Sequence, residues 1–170
     1  STLVADQALT IAFWFSTTIT SNATPNCFFS LHALTSSNRL RLGIDGNGGS
    51  TYILSNADTN YDIGTINYND GGWYRGVIVI PAGAGAQTCT GYVNGISVGT
   101  ASIDFDFSAV TKATIGMEWD GGPTATDHYD GKLSDFQIWD TAWTADDTLY
   151  DYQNPEQLAL NRGGTSLTES

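Results

Sequence analysis

Leu9-Thr10-Ile11-Ala12-Phe13-Trp14-Phe15 places a large apolar residue at every odd position. A period of two is the spacing of a β-strand, whose successive side chains point to opposite faces. The even positions are also small or apolar apart from Thr10, so both faces of this strand are expected to be buried, as inside a two-layer sandwich. Working outward, the same alternation returns in Arg39-Leu40-Arg41-Leu42-Gly43-Ile44, with Leu40, Leu42 and Ile44 facing inward. It returns again in Trp73 to Ile80, a β-branched and aromatic run ended by Pro81. Shorter strands are predicted at Phe28 to Leu31, Tyr52 to Leu54, Thr88 to Val93, Ile96 to Val98, Thr114 to Met117 and Leu133 to Trp139.

The punctuation agrees with that pattern. Asn94-Gly95 is the strongest hairpin signal, because a type I′ turn needs positive φ at both central positions and Asn and Gly adopt it at little cost. Asp45-Gly46-Asn47-Gly48-Gly49 and Gly83 to Gly85 read as turns. One helix is expected, opened by Thr144 as its cap with Asp147 at the third helical position, and stopping near Asn154-Pro155. Residues 1–158 therefore read as one domain, and 159–170, with Gly163-Gly164, as a polar tail or linker. The fold class these elements predict is all-β with one short C-terminal helix.

Composition bounds the partners. The 170 residues hold 6 Lys and Arg against 18 Asp and Glu, a formal charge of −12. A chain so acidic repels the phosphate backbone, so nucleic acid is not an expected partner, and an anionic membrane surface is disfavoured for the same reason. No stretch approaches the roughly 18 uninterrupted apolar residues of a membrane span, so membrane insertion is not expected. Divalent cations and neutral glycans stay compatible with this charge. Cys27 and Cys89 are the only cysteines and form no metal or redox motif. They can pair if they sit on neighbouring strands, or serve as small core residues.

Over roughly residues 7 to 153 the order of these segments resembles the laminin-G-like and pentraxin-like branch of the concanavalin A-type jelly rolls, which implies a two-sheet antiparallel jelly-roll β-sandwich. Four pieces carry the resemblance: Leu9 to Phe15 as the early aromatic strand, Trp73 to Val79, the Gly91-Tyr92-Val93-Asn94-Gly95 hairpin, and Asp130-Gly131-Lys132-Leu133-Ser134-Asp135-Phe136-Gln137-Ile138-Trp139 with the Thr144-capped helix behind it. The sequence departs from the family pattern in showing little of one more strand before, and another after, these segments. Asn154 to Leu158 also resembles laminin-G-like modules in structural proteins of marine phages. The resemblance implies a surface module, extracellular or on a virion, that binds a glycan or other cell-surface ligand and carries out no chemistry. The competing expectation is a structural or oligomerising domain that contacts other subunits of a larger surface assembly and takes no small ligand.

The resemblance also implies a calcium site, since pentraxins place oxygen ligands from a D-N pair before a strand and from an E-x-D loop around this hard cation. The matching positions are Asn38, with Ser37 where the family has Asp, and Glu118-Trp119-Asp120, followed by Asp127 and Asp130. Four carboxylates within thirteen residues repel one another unless solvent or a cation offsets them. The loop is shorter than the pentraxin one, and a solvated acidic loop accounts for the same residues. Trp119, read as a loop residue, is the candidate to stack on a ligand or to close as a lid on the core, with His128 beside it. Trp14, Trp73, Trp139 and Trp143 are assigned to packing. Retaining glucanases of similar architecture use two glutamates around an aspartate; the only glutamates here are Glu118, Glu156 and Glu169, which cannot form that arrangement. Asp104 and Asp106, on one face of a possible strand, make no better catalytic pair. No HExxH or P-loop pattern occurs, and no enzyme is expected.

Overall fold

The computed structural model describes residues 4–19, 26–33, 39–45, 51–56, 59–64, 67–119 and 125–155. The chain runs β1 (Leu9–Ser16), β2 (Asn26–His32), β3 (Arg39–Asp45), β4 (Thr51–Asn56), β5 (Thr59–Asp62), β6 (Tyr74–Ile80), β7 (Gln87–Val93), β8 (Ile96–Ile103), β9 (Lys112–Ile115), β10 (Glu118–Trp119), β11 (Ala125–Thr126), β12 (Lys132–Trp139) and α1 (Ala145–Gln153). One antiparallel sheet has the order β12-β1-β6-β7-β8; the other has β5-β4-β3-β2-β9. The predicted sandwich is therefore present. The turn at 46–49, the tail 159–170, and Ser37, Asn38 and Asp120 lie outside the described residues.

Facing sides of the two sheets form the main core. Ile11, Phe13 and Phe15 from the first sheet meet Phe28, Phe29, Leu42 and Tyr52 from the second, all at 0 or 1% exposure. Phe28 stacks within 4.8–5.0 Å of Phe13 and Phe15, giving an aromatic centre whose tilted rings suit their quadrupoles. Gly76 lies opposite Phe13 in the β1–β6 register, and a methyl group there would press on the Phe13 and Phe15 rings at 3.1–3.3 Å. Leu40, Leu42 and Ile44 point inward as their alternation predicted. Asn94 and Gly95 take φ of 53° and 76° in the turn joining β7 to β8, as the type I′ signal required.

Cys27 and Cys89 are buried free thiols on β2 and β7, in different sheets rather than on neighbouring strands. Three further positions differ from the sequence expectation. Trp73 precedes β6 instead of starting it and is 47% exposed. β9 begins two residues early, at Lys112, because its register is set by pairing with β2 (His32 opposite Lys112) and not by its own sparse apolar pattern. Asp104 and Asp106 are not strand partners; the Asp106 carboxylate caps a 3-10 turn, Phe107–Ala109.

The far side of the first sheet carries a second, smaller cluster of Ala12, Val77, Val79 and Tyr92 with Trp143 against it. On this side sits Arg75, 1% exposed. Its guanidinium donates in parallel to both Asp151 oxygens, Nε at 2.6 Å and Nη2 at 2.9 Å, and to the Asp135 carbonyl at 3.1 Å. Asp151 is on α1, so the ion pair ties the helix to the sheet. The helix start is fixed by a reciprocal cap, Asp147 N–H to Thr144 Oγ1 at 3.1 Å and Thr144 N–H to Asp147 Oδ2 at 2.8 Å. Removing one partner from a buried pair leaves the other charge uncompensated. Asp151→Ala is therefore expected to lower the free energy of unfolding by about 3–5 kcal/mol, against about 1 kcal/mol for Thr144→Ala, as read from urea unfolding curves. Equal effects would contradict this ranking.

Candidate functional site

The outer face of the second sheet is polar because β2, β3 and β9 alternate. Leu40, Leu42 and Ile44 take the core side of β3, which leaves Arg39 and Arg41 on the far side. His32 and Ser30 of β2 share that side, in register with Lys112 and Thr114 of β9. A short hairpin, β10–β11, closes over this face. Its base is held by backbone bonds to β2: Cys27 N–H to Asp127 O at 3.0 Å and Gly116 N–H to Phe28 O at 2.8 Å, with Gly116 at φ 75°.

Glu118 was expected in an open acidic loop, yet it is 0% exposed and points into this closed face. One carboxylate oxygen meets Arg39 Nε at 3.0 Å and the other accepts from Arg41 Nη1. The same Nη1 reaches Asp127 Oδ2 at 2.8 Å, and Arg41 Nη2 donates to Asn60 Oδ1 at 2.9 Å. The hairpin is thus clamped to β3 and β5 by a charged network. Burial pushes the Glu118 carboxyl up to about 7, and a hydrogen bond with Asp127 acts in the same direction; Arg41 and Arg39 oppose both. Burial, with Glu118 nearby, also raises the Cys27 thiol.

Trp119 lies on β10 and not in a loop. Lys112 Nζ stands 3.4 Å from the centroid of its ring, and the buried His32 ring lies nearly parallel to it with centroids 6.3 Å apart. His32 Nδ1 bonds the Ala33 carbonyl, while Nε2 has no hydrogen-bond partner among the described residues. Trp119 is half-buried, a lid over His32. His128 and Asp130 follow the hairpin and are exposed.

The structure therefore brings Glu118, Trp119 and Asp127 together and sets His128 and Asp130 at the hairpin exit. As they stand, Glu118 and Asp127 face guanidinium groups, which supply the positive charge that a cation would otherwise bring. Among the described residues no three His, Cys, Asp or Glu side chains converge to hold a metal. The residues that sequence reasoning missed are Arg39, Arg41, Lys112 and His32. Their signal was the strand alternation itself, which sets both arginines on the side opposite Leu40 and Leu42. Gly95-Ile96-Ser97-Val98-Gly99 spells a serine-elbow pattern, but Ser97 is inside β8, opposite Tyr92 in a hairpin, and not at a strand-to-helix turn.

Against known proteins, the Laminin_G_3 family profile, described as the concanavalin A-like lectin/glucanases superfamily, matches residues 1–148. The chain belongs to that family. Among solved structures, this concanavalin A-like domain is similar to the native heptameric SAP-like pentraxin of Limulus polyphemus, with 27% identity and a TM-score of 0.66 over 89% of this chain and 72% of that one. It is also similar to the CBM40 module of the Ruminococcus gnavus IT-sialidase bound to α2,3-sialyllactose, with 15% identity and a TM-score of 0.65 over 85% of this chain and 82% of that one. A third is domain 4 of AbnA, an arabinanase of Geobacillus stearothermophilus in complex with arabinotriose, with 16% identity and a TM-score of 0.55 over 86% of this chain and 66% of that one. No curated protein matches the sequence. No helix among the described residues is long and apolar enough to cross a membrane.

The raised Glu118 value gives a testable sign. A carboxyl that holds its proton more tightly when folded contributes stability that is fully present below its ordinary value of 4.5 and is lost as pH rises through about 7. The urea midpoint of the wild type, measured relative to Glu118→Gln, is expected to fall across that window. A difference that is flat or rises with pH would remove the assignment.

Proposed function

We propose that this concanavalin A-like domain is a non-catalytic recognition module for carbohydrate, working outside the cell or on a virion surface. The observation that carries the reading is the clamped hairpin. Buried ion pairs hold β10–β11 on the sheet, so the partly exposed Trp119, with the Lys112 ammonium over its ring, is positioned before a ligand arrives, which lowers the ordering cost of binding. A partly exposed aromatic ring with a cationic donor over it offers both apolar contact and hydrogen bonds to a sugar, while the exposed His128 and Asp130 lie toward the other end of β2, beside Cys27 and Asn26. The sialyllactose and arabinotriose held by the two modules of similar fold support the ligand class.

The same clamp supports binding over one kind of chemistry. Retaining hydrolysis uses two carboxyl groups about 5–5.5 Å apart that flank the scissile bond. Glu118, the one glutamate among the described residues, is closed to solvent and committed to arginine. A calcium contribution would rest on Asp130 together with Asn38 and Asp120, the latter two outside the described residues. Calorimetry supports that contribution if calcium heats the wild type and not Asp120→Ala; a silent titration removes calcium and leaves sugar recognition standing.

On a glycan array the wild type is expected to retain a defined set of saccharides. Trp119→Ala is expected to weaken them at least tenfold, about 1.4 kcal/mol, and Lys112→Gln less. A wild type that binds no glycan and forms a defined oligomer instead would replace this reading with the structural one.

A further inference from the structure

The opposite sheet holds a concavity that the hairpin does not explain. Trp139, Thr141, Ala142, Trp143, Asp147 and Tyr150 line a half-open concavity of about 260 Å³ between the edge strand β12 and the start of α1. At about 30 Å³ per water molecule this is the space of roughly nine waters, the scale of one sugar ring. Its walls are two indoles with centroids 5.5 Å apart and planes inclined at 53°, forming a wedge. Tyr150, 50% exposed, adds a third aromatic wall.

Both indoles are fixed from behind. Trp139 Nε1–H donates to Gln137 Oε1 at 3.0 Å, Gln137 Nε2–H to Asp135 Oδ2 at 2.7 Å, and that carboxylate accepts from Arg75 at 3.3 Å. Trp143 packs on Ala12, Val77, Val79 and Tyr92, and its backbone N–H donates to Thr10 Oγ1 at 3.0 Å; the same hydroxyl donates to the Thr141 carbonyl at 2.7 Å. With the Trp139 N–H already taken, that ring offers a ligand its face. A pyranose or furanose presents C–H groups to such faces and hydroxyls around its edge. At the rim, Asp147 spends Oδ2 on the helix cap, which leaves Oδ1 for a ligand hydroxyl. A carboxylate here, on a chain of charge −12, turns away anionic sugars.

We infer that the Trp139–Trp143 wedge is a second saccharide subsite, for one neutral sugar ring, on the sheet opposite the hairpin. This rests on the carbohydrate reading for its ligand class and on separate residues for its place. Two sites on opposite faces would let one domain bridge two glycan chains and gain from multivalency.

The test is NMR of the intact chain with 15N-labelled tryptophan, titrated with a panel of neutral hexasaccharides of glucose, xylose, arabinose and galactose. Indole signals are assigned with Trp139→Phe, Trp143→Phe and Trp119→Phe. Saturable shifts of the Trp139 and Trp143 signals with one saccharide, unaltered in Trp119→Phe, support the subsite. Trp143→Ala is then expected to weaken that component at least tenfold while its circular dichroism stays that of the wild type. Shifts confined to Trp119 overturn the subsite and leave the hairpin reading intact. Shifts of no indole with any of these neutral sugars overturn the subsite, while the hairpin reading is decided separately by the glycan array. Trp139 and Trp143 shifts that follow protein concentration without sugar overturn it in favour of a contact between copies.

Discussion

Arg75 is the constraint on which one half of the molecule depends. It interrupts the apolar strand Tyr74–Ile80 with a charge that has 1% of its surface exposed. Such a charge is tolerated only when the partner geometry is good and the remaining donors are satisfied. Asp151 supplies a parallel two-bond pairing from the helix, and Asp135 supplies the rest from a bulge in β12, where φ is 50°. Because a guanidinium fork accepts a carboxylate in few orientations, the pair sets the register of α1 on the sheet as well as its attachment. The turn at 140–143 has to close the distance between those two fixed points. The positions of Trp139 and Trp143 therefore follow from a strand residue more than sixty positions earlier in the chain.

The other face solves a matching problem with the opposite polarity. There the buried intruder is an acid, Glu118, and the fixed partners are Arg39 and Arg41 on β3. Two-residue strands such as β10 and β11 carry too few backbone bonds to hold a hairpin against a sheet by themselves. The charged network, together with the Cys27 and Gly116 backbone bonds, supplies what the ladder lacks. Lys112 over the Trp119 ring adds a cation–π contact at the hairpin margin. Of the four arginines in the sequence, three are thus committed to holding the parts that cover the two outer faces.

That commitment explains which features were legible in the sequence. Strand alternation, the Asn94-Gly95 turn and the Thr144 cap are local: each is decided by residues within a few positions of one another, and, the bounds of β6 and β9 apart, each is found where its spacing put it. The direction of Glu118 is decided by arginines 77 and 79 positions away, and four carboxylates close in sequence read as an open loop until those partners are seen. Trp73 and Trp139 look alike as residues beside apolar runs. Trp73 is exposed because it precedes β6, and Trp139 is part of a wedge because β12 is an edge strand and the helix returns beside it. Arg39 and Arg41 were legible as outward-facing, but not as buried, since the strands that cover them, Glu118–Trp119 and Ala125–Thr126, lie far along the chain.

The two clamps also bear on what the surface can bind. Each ion-paired network is close to self-neutralising, so burying it removes positive charge from the exterior almost one for one with negative charge and leaves the acidic excess of the chain outside. Most of the exterior is then hostile to anions, with Lys112 a local exception at the hairpin margin. Uncharged ligands avoid that repulsion and must be held by contact area and hydrogen bonds instead. Those forces reward surfaces that do not have to be ordered on binding. In this domain the exposed aromatics beside the clamps are of that kind, because the side chains that would otherwise rearrange are tied through Arg75 on one face and through Arg39 and Arg41 on the other.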